Sequence, residues 1–147
     1  VYDSLGRLIE KINPLGESVE KHHYNRCGSE VTTYDGLGGK VIYQYDANQR
    51  VISTKDQEGK TTYQDYDALN RVISKKDGKG NTSLYEYDGL GRLTKVTDAL
   101  GQEVRYQYDG EGNLTLQTES GGKTTAYVYG ARNLLKKRIE HGGIVNG

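Results

Sequence analysis

Tyrosine recurs at Tyr24, Tyr45, Tyr66, Tyr87, Tyr108 and Tyr129, each 21 residues after the last, and Tyr2 lies 22 before Tyr24. A fixed period of roughly 20 to 50 residues means one supersecondary unit stacked on copies of itself, none of which buries its apolar side alone. Other columns keep the same phase. Fourteen residues after each tyrosine comes a glycine, at Gly16, Gly38, Gly59, Gly80, Gly101, Gly122 and Gly143. Eleven residues after each comes a carboxylate or an amide, at Asn13, Asp35, Asp56, Asp77, Asp98, Glu119 and Glu140. Six residues after each, a branched aliphatic recurs at Leu8, Val51, Val72, Leu93, Leu114 and Leu135, with Glu30 the one interruption. The expected organisation is an array of about seven units over 1–147, with bounds 1–23, 24–44, 45–65, 66–86, 87–107, 108–128 and 129–147.

Between these landmarks the residues favour strands. Leu93, Thr94, Val96 and Thr97 precede one turn and Val104, Tyr106 and Tyr108 follow it, and β-branched and aromatic residues at period two specify strands rather than helices. In Asp98-Ala99-Leu100-Gly101 the Asp can hydrogen-bond the backbone two residues on, and the Gly can take a positive φ without a Cβ clash. The recurring glycines, with Asp56, Asp77 and Asp98, are therefore read as structural turn residues. The other connection, Tyr87 to Arg92, repeats that logic, with Asn70 and Asn133 standing for its Gly in two units because Asn tolerates the left-handed region. Gln49 suits that position poorly, so the turn around Asn48 is expected to differ.

Each unit is then a β-hairpin, and the whole an all-β sheet of about fourteen antiparallel strands with no helix longer than a turn. Open twisted sheets rarely exceed ~10 strands without curling, which predicts a curved, spiralling sheet, a segment of a hollow shell. Period two places Val104, Tyr106 and Tyr108 on one face and Glu103, Arg105 and Gln107 on the other. Stacked units would set Tyr45, Tyr66, Tyr87, Tyr108 and Tyr129 in one packing ladder. Tyr43, Tyr85, Tyr106 and Tyr127 would form a second, interrupted by Gln64.

Composition excludes several functions. Lys plus Arg equal Asp plus Glu at 20 each, so no net field draws nucleic acid or an anionic membrane. No apolar run approaches the ~18 residues of a membrane span, and no signal segment is visible. The chain opens on Val1 and has no Met, so it is expected to be a piece of a longer protein. Its 13 tyrosines, without Phe or Trp, suit a half-buried surface where the ring packs and the hydroxyl stays satisfied. Zero net charge and apolar residues held in fixed columns argue for order over disorder.

No catalytic, cofactor or metal site emerges, and the chain is not read as an enzyme. The aspartates recur at turn positions in every unit, whereas acid–base catalysis needs one pair set apart by its environment. Asp109-Gly110-Glu111-Gly112-Asn113 begins like a calcium loop, but Leu114 stands where the sharp-turn glycine belongs. His22 and His23 are adjacent and on a strand point to opposite faces. Gly36-Leu37-Gly38-Gly39 lies in a hairpin turn with no helix after it, so it is no phosphate cradle. Cys27 is alone, with no ligand spacing around it.

The residues Tyr2-Asp3-Ser4-Leu5-Gly6-Arg7-Leu8, Tyr66-Asp67-Ala68-Leu69-Asn70-Arg71-Val72, Tyr87-Asp88-Gly89-Leu90-Gly91-Arg92-Leu93 and Tyr108-Asp109-Gly110-Glu111-Gly112-Asn113-Leu114 resemble the tyrosine-aspartate (YD) repeats, also called rearrangement hotspot (Rhs) repeats. Tyr24-Asn25 and Tyr129-Gly130 depart from the pattern after the tyrosine. The resemblance implies a spiral of hairpins forming a hollow shell, as in bacterial polymorphic toxins, the cocoon subunits of insecticidal toxin complexes and the extracellular region of teneurins. It further implies neighbouring YD repeats of a parent chain and an enclosed C-terminal toxin as partners, and a bacterial, secreted or cell-surface location. The alternative is an extracellular carbohydrate-binding or adhesion module using the repeat surface. Open strand edges, with Leu8, Ile9 and Ile12 at one end and Ile139, Ile144 and Val145 at the other, add self-association.

Overall fold

The computed structural model describes residues 1–142. Among them are thirteen strands, β1 (Glu10–Ile12), β2 (Ser18–Tyr24), β3 (Glu30–Asp35), β4 (Lys40–Tyr45), β5 (Val51–Lys55), β6 (Thr61–Tyr66), β7 (Val72–Lys76), β8 (Thr82–Tyr87), β9 (Leu93–Thr97), β10 (Glu103–Tyr108), β11 (Leu114–Glu119), β12 (Thr124–Tyr129) and β13 (Leu135–His141). A single 3-10 turn, Ala131–Asn133, is the one helical element described. Strand order follows the chain from β1 to β13 in one open antiparallel sheet. Ahead of β1, Tyr2 and Leu8 form an isolated bridge, and the fourteenth strand, expected as the second strand of the last unit, falls outside the described residues. Gly143, Ile144 and Val145 lie outside the described residues.

The chain divides into two compact units, Val1–Asp65 with Lys75–Gly80, and Tyr66–Ser74 with Asn81–Gly147. In the first, β2 to β5 pair in sequence. His22 faces Thr33, which in turn faces Val41, and Tyr43 faces Thr54, which faces Thr62. In the second, Tyr85 faces Val96, which faces Val104, and Tyr106 faces Gln117, which faces Thr125. Each crossing of a hairpin leads from the position two before one repeat tyrosine to the position four before the next. Successive repeats are thus staggered by two residues, or ~7 Å along the strand. The second set of tyrosines runs diagonally across the sheet, with Val96 or Gln117 in between, and does not stand in the side-by-side ladder expected.

A register shift recurs where the repeat tyrosine enters its pairing, at Gln44/Tyr45, Glu86/Tyr87, Gln107/Tyr108 and Val128/Tyr129. Tyr87 pairs with Leu93 while Glu86 pairs with Lys95, leaving Thr94 as the extra residue of a β-bulge. The bulge lets the tyrosine and the aliphatic that follows it share a face.

The sheet has almost no interior. Among the described residues Val31, Ser53 and Thr125 are buried, and no side chain is wholly enclosed. Leu15, Leu37, Leu90 and Leu100, at the tips of four turns, are 79–99% exposed. The accessible surface is 10296 Å², against about 7,500 Å² for a globular monomer of this mass.

Candidate functional site

The turns carry one geometry. At Asp98-Ala99-Leu100-Gly101-Gln102 the Asp98 carboxylate accepts the backbone N–H of Leu100 at 2.9 Å and of Gln102 at 2.8 Å. The Gly101 N–H donates to the Asp98 carbonyl at 3.0 Å, and the Asp98 N–H donates to the Gln102 carbonyl at 2.9 Å. Closing the loop this way requires φ of 78° at Gly101, in the left-handed region that a Cβ disfavours. Gly16, Gly38, Gly59, Gly80 and Gly122 sit at the same point with φ between 77° and 93°. Asp56 holds the N–H groups of Glu58 and Lys60, and Asp77 holds that of Lys79.

The other connection uses the same turn. Asp88 accepts from the N–H of Leu90 at 3.0 Å and of Arg92 at 2.9 Å, and Gly91 takes φ of 83°. The turn at Asn48 does not differ as expected. Asp46 accepts from the N–H of Asn48 and Arg50, and Gln49 simply adopts φ of 62°, as Asn70 does at 64°. The bonds that Asp46 supplies hold Gln49 in a region its side chain disfavours. The turn after Tyr129 is the one that departs, with Arg132 and Asn133 both at positive φ.

An element that the sequence reading did not assign appears on this side of the sheet. The Arg92 Nε donates to the Asp88 carboxylate at 2.7 Å, and its Nη1 to the Asp109 carbonyl of the next unit at 3.0 Å. Its guanidinium lies 4.9 Å from the centre of the Tyr108 ring. The Tyr108 hydroxyl donates back to the Leu93 carbonyl at 2.8 Å. One arginine thus joins two repeats by an ion pair, a backbone bond and a cation–π contact. The arrangement recurs at Asp67, Arg71, Asp88 and Tyr87, with the Tyr87 hydroxyl on the Val72 carbonyl. It recurs again at Asp3, Arg7 and Tyr24, where the ring lies 4.4 Å from the guanidinium. Its sequence signal is an arginine four residues after the Asp, present at Arg7, Arg50, Arg71 and Arg92. Two units lack it. Asn113 reaches Asp109 by its own amide at 2.9 Å, and Ser29 stands at the position preceding Tyr45 by sixteen.

The electrostatics follow this scaffold. Backbone N–H donation from Arg50 and Arg92, with their guanidinium bonds next, lowers the pKa of Asp46 and Asp88. Asp3 and Asp67 are lowered mainly by the backbone N–H of Arg7 and Arg71, and Asp109 mainly by the Asn113 amide. Burial raises the pKa of Tyr45 and Tyr108. In the calcium-like stretch the Asp109 carboxylate is taken up by the backbone N–H groups of Glu111 and Asn113 and by the Asn113 amide. Among the described residues no three His, Cys, Asp or Glu side chains gather as a metal would need. His22 meets the Thr33 hydroxyl at 3.1 Å, while His23 packs edge-on against Tyr34. Cys27 is exposed, and the hydroxyl and backbone of Ser29 lower its pKa.

The model of the RHS repeat matches residues 45–82, 66–103 and 87–124, overlapping windows offset by one period that cover 45–124, more than half of the chain. The chain belongs to the RHS repeat family. Among solved structures, these RHS repeats are similar to a chain of the crystal structure of TcdB2-TccC3-Cdc42, with a TM-score of 0.63, 15% identity and 95% of this chain covered. TcdB2-TccC3 without its hypervariable C-terminal region gives 0.61 and 14% over the same share. The Photorhabdus luminescens Tc holotoxin pore carrying a TccC3 D651A mutation gives 0.59 and 17% over 92%. The chain spans a tenth of the length of the first two chains and 8% of the third, so the likeness is one of fold. No curated protein sequence matches the chain.

Proposed function

We propose that this chain is a length of wall in an Rhs shell, a sheet of about seven hairpin units that forms part of the enclosure around a C-terminal toxin carried by the same parent. The observation that carries the reading is the surplus of surface. The chain exposes 10296 Å² where about 7,500 Å² would suffice for a self-contained protein, and burial is confined to three described residues. A sheet of this kind completes itself against other parts of its parent. The exposed turn-tip leucines supply apolar contacts along both margins of the strip, where further coils of the wall would lie. The turn and clasp bonds occupy the aspartates that open the turns, which supports a structural rather than an enzymatic role. The setting is a secreted or cell-surface bacterial assembly.

The test uses the full-length parent. Its downstream cargo should resist protease while the repeats are intact and become susceptible when turns are broken by Gly59→Val with Gly101→Val. Digestion of the cargo at the same rate in both proteins would reject the wall reading.

A further inference from the structure

Tyr45 lacks the arginine that Tyr24, Tyr87 and Tyr108 have sixteen or seventeen residues earlier. The same ring position is covered by a guanidinium in other units, by Arg7 over Tyr24, Arg71 over Tyr87 and Arg92 over Tyr108. At Tyr45 the residue that would supply it is Ser29, whose hydroxyl is taken up by the Asn25 amide at 3.1 Å. The backbone around the vacancy is kept: the Tyr45 N–H donates to the Ser29 carbonyl at 2.8 Å. A cleft of about 650 Å³ opens there, lined by Tyr43, Tyr45, Gly28 and Gln49 among others.

The rest of the clasp is also in place. The carbonyls of Asp88 and Asp109 each accept two donors, a turn N–H and a guanidinium Nη1. The equivalent carbonyl, that of Asp46, accepts the Gln49 N–H at 3.0 Å. A carbonyl oxygen has room for two donors, and a tyrosine face attracts a cation most when partly removed from water. Burial at Tyr45 raises the hydroxyl pKa, in keeping with a ring that is partly shielded. Arg7 lines the same cleft, but guanidinia one repeat apart coexist at Arg71 and Arg92, so its charge does not close the site.

We propose that the cleft over Tyr45 binds the guanidinium of an arginine side chain presented by a peptide segment, which occupies the place that Arg7, Arg71 and Arg92 occupy on their own tyrosines. The site is independent of whether the chain forms a shell.

The experiment is a titration of the 147-residue chain, with 13C-labelled tyrosine rings, by N-acetylarginine amide. The neutral isostere N-acetylcitrulline amide and a disaccharide serve as comparisons. The expected result is a saturable shift of the Tyr45 ring, with Tyr24, Tyr87 and Tyr108 unmoved, and binding of the citrulline probe about tenfold weaker. Ser29→Arg, which restores the residue of the other units, should abolish the titration. Ser29→Met, which fills the space without a charge, should abolish it too and serves alone if the first variant does not fold. No saturable shift, equal binding of citrulline, saturation by the disaccharide, a shift spread over all the tyrosines, or an unchanged titration in a folded Ser29 variant would each overturn the proposal.

Discussion

Replacing Gly101 by alanine tests the turn in isolation, because the change has no steric component. A Cβ built on Gly101 meets no atom within 4 Å, and neither does one built on Gly110. The two positions differ in backbone alone: Gly101 has φ of 78°, while Gly110 is outside the left-handed region, at a place that Ala47 and Ala68 fill in other units. An L side chain in the left-handed region costs about 1–2 kcal/mol. Alanine also restricts the unfolded chain, which favours the folded form by ~0.4–1 kcal/mol at both sites and cancels between them. Gly101→Ala and Gly110→Ala should therefore lie about 1–2 kcal/mol apart, the first destabilised relative to the second. Urea titration followed by far-ultraviolet circular dichroism reads this as displaced midpoints with an unchanged slope. Valine at the two sites should widen the gap, since β-branched residues are least suited to positive φ. Coincident midpoints for the alanine pair would show that the turn glycine is dispensable and the account of the hairpin wrong.

A double-mutant cycle of Arg92→Ala and Tyr108→Leu should return a coupling of about 0.5–1 kcal/mol, measured by the same titration; additive effects would deny the cation–π part of the clasp. The aspartates of the clasp have folded pKa values below the ordinary 3.8. Their stabilisation is therefore present above the ordinary carboxylate range and lost as pH falls through the depressed values. Thermal unfolding from pH 7 to pH 2 should show stability falling below about pH 4, with a shallower fall in Asp88→Asn. The terminal strands of the described sheet, β1 and β13, with Ile12 48% and Leu135 54% exposed, should make the chain associate as concentration rises; light scattering that finds a monomer throughout would contradict this.

Much of this molecule is legible in its sequence because its instructions are local. An Asp bonding the amides two and four residues on, as Asp98 does for Leu100 and Gln102, acts within one turn, and alternation along β10 decides its faces without reference to other strands. What stayed hidden depends on register. Arg92 and Tyr108 are sixteen residues apart, and their contact follows only once the bulge at Thr94 and the two-residue stagger between units are known. The same stagger turned the expected side-by-side row of Tyr43, Tyr85, Tyr106 and Tyr127 into a diagonal. Gln49 shows the converse: propensity argued against the turn, and the paired amide bonds to Asp46 prevailed.

The clasp also gives the array a grammar. Each one runs in a single direction, from the arginine of one unit to the tyrosine of the next, and both ends of it are written into every unit that carries the arginine, as those of Arg50, Arg71 and Arg92 do. An in-frame duplication of one whole period would therefore bring its own donor for the unit after it and its own acceptor for the unit before. Loss of a whole period would leave a junction with the same partners. A shift of a single residue has no such escape, since it would part the arginine from its ring in the clasp that spans the break. Units such as Tyr66 to Glu86 are in this sense exchangeable parts, and the length of the strip is free to change by recombination while its chemistry stays constant.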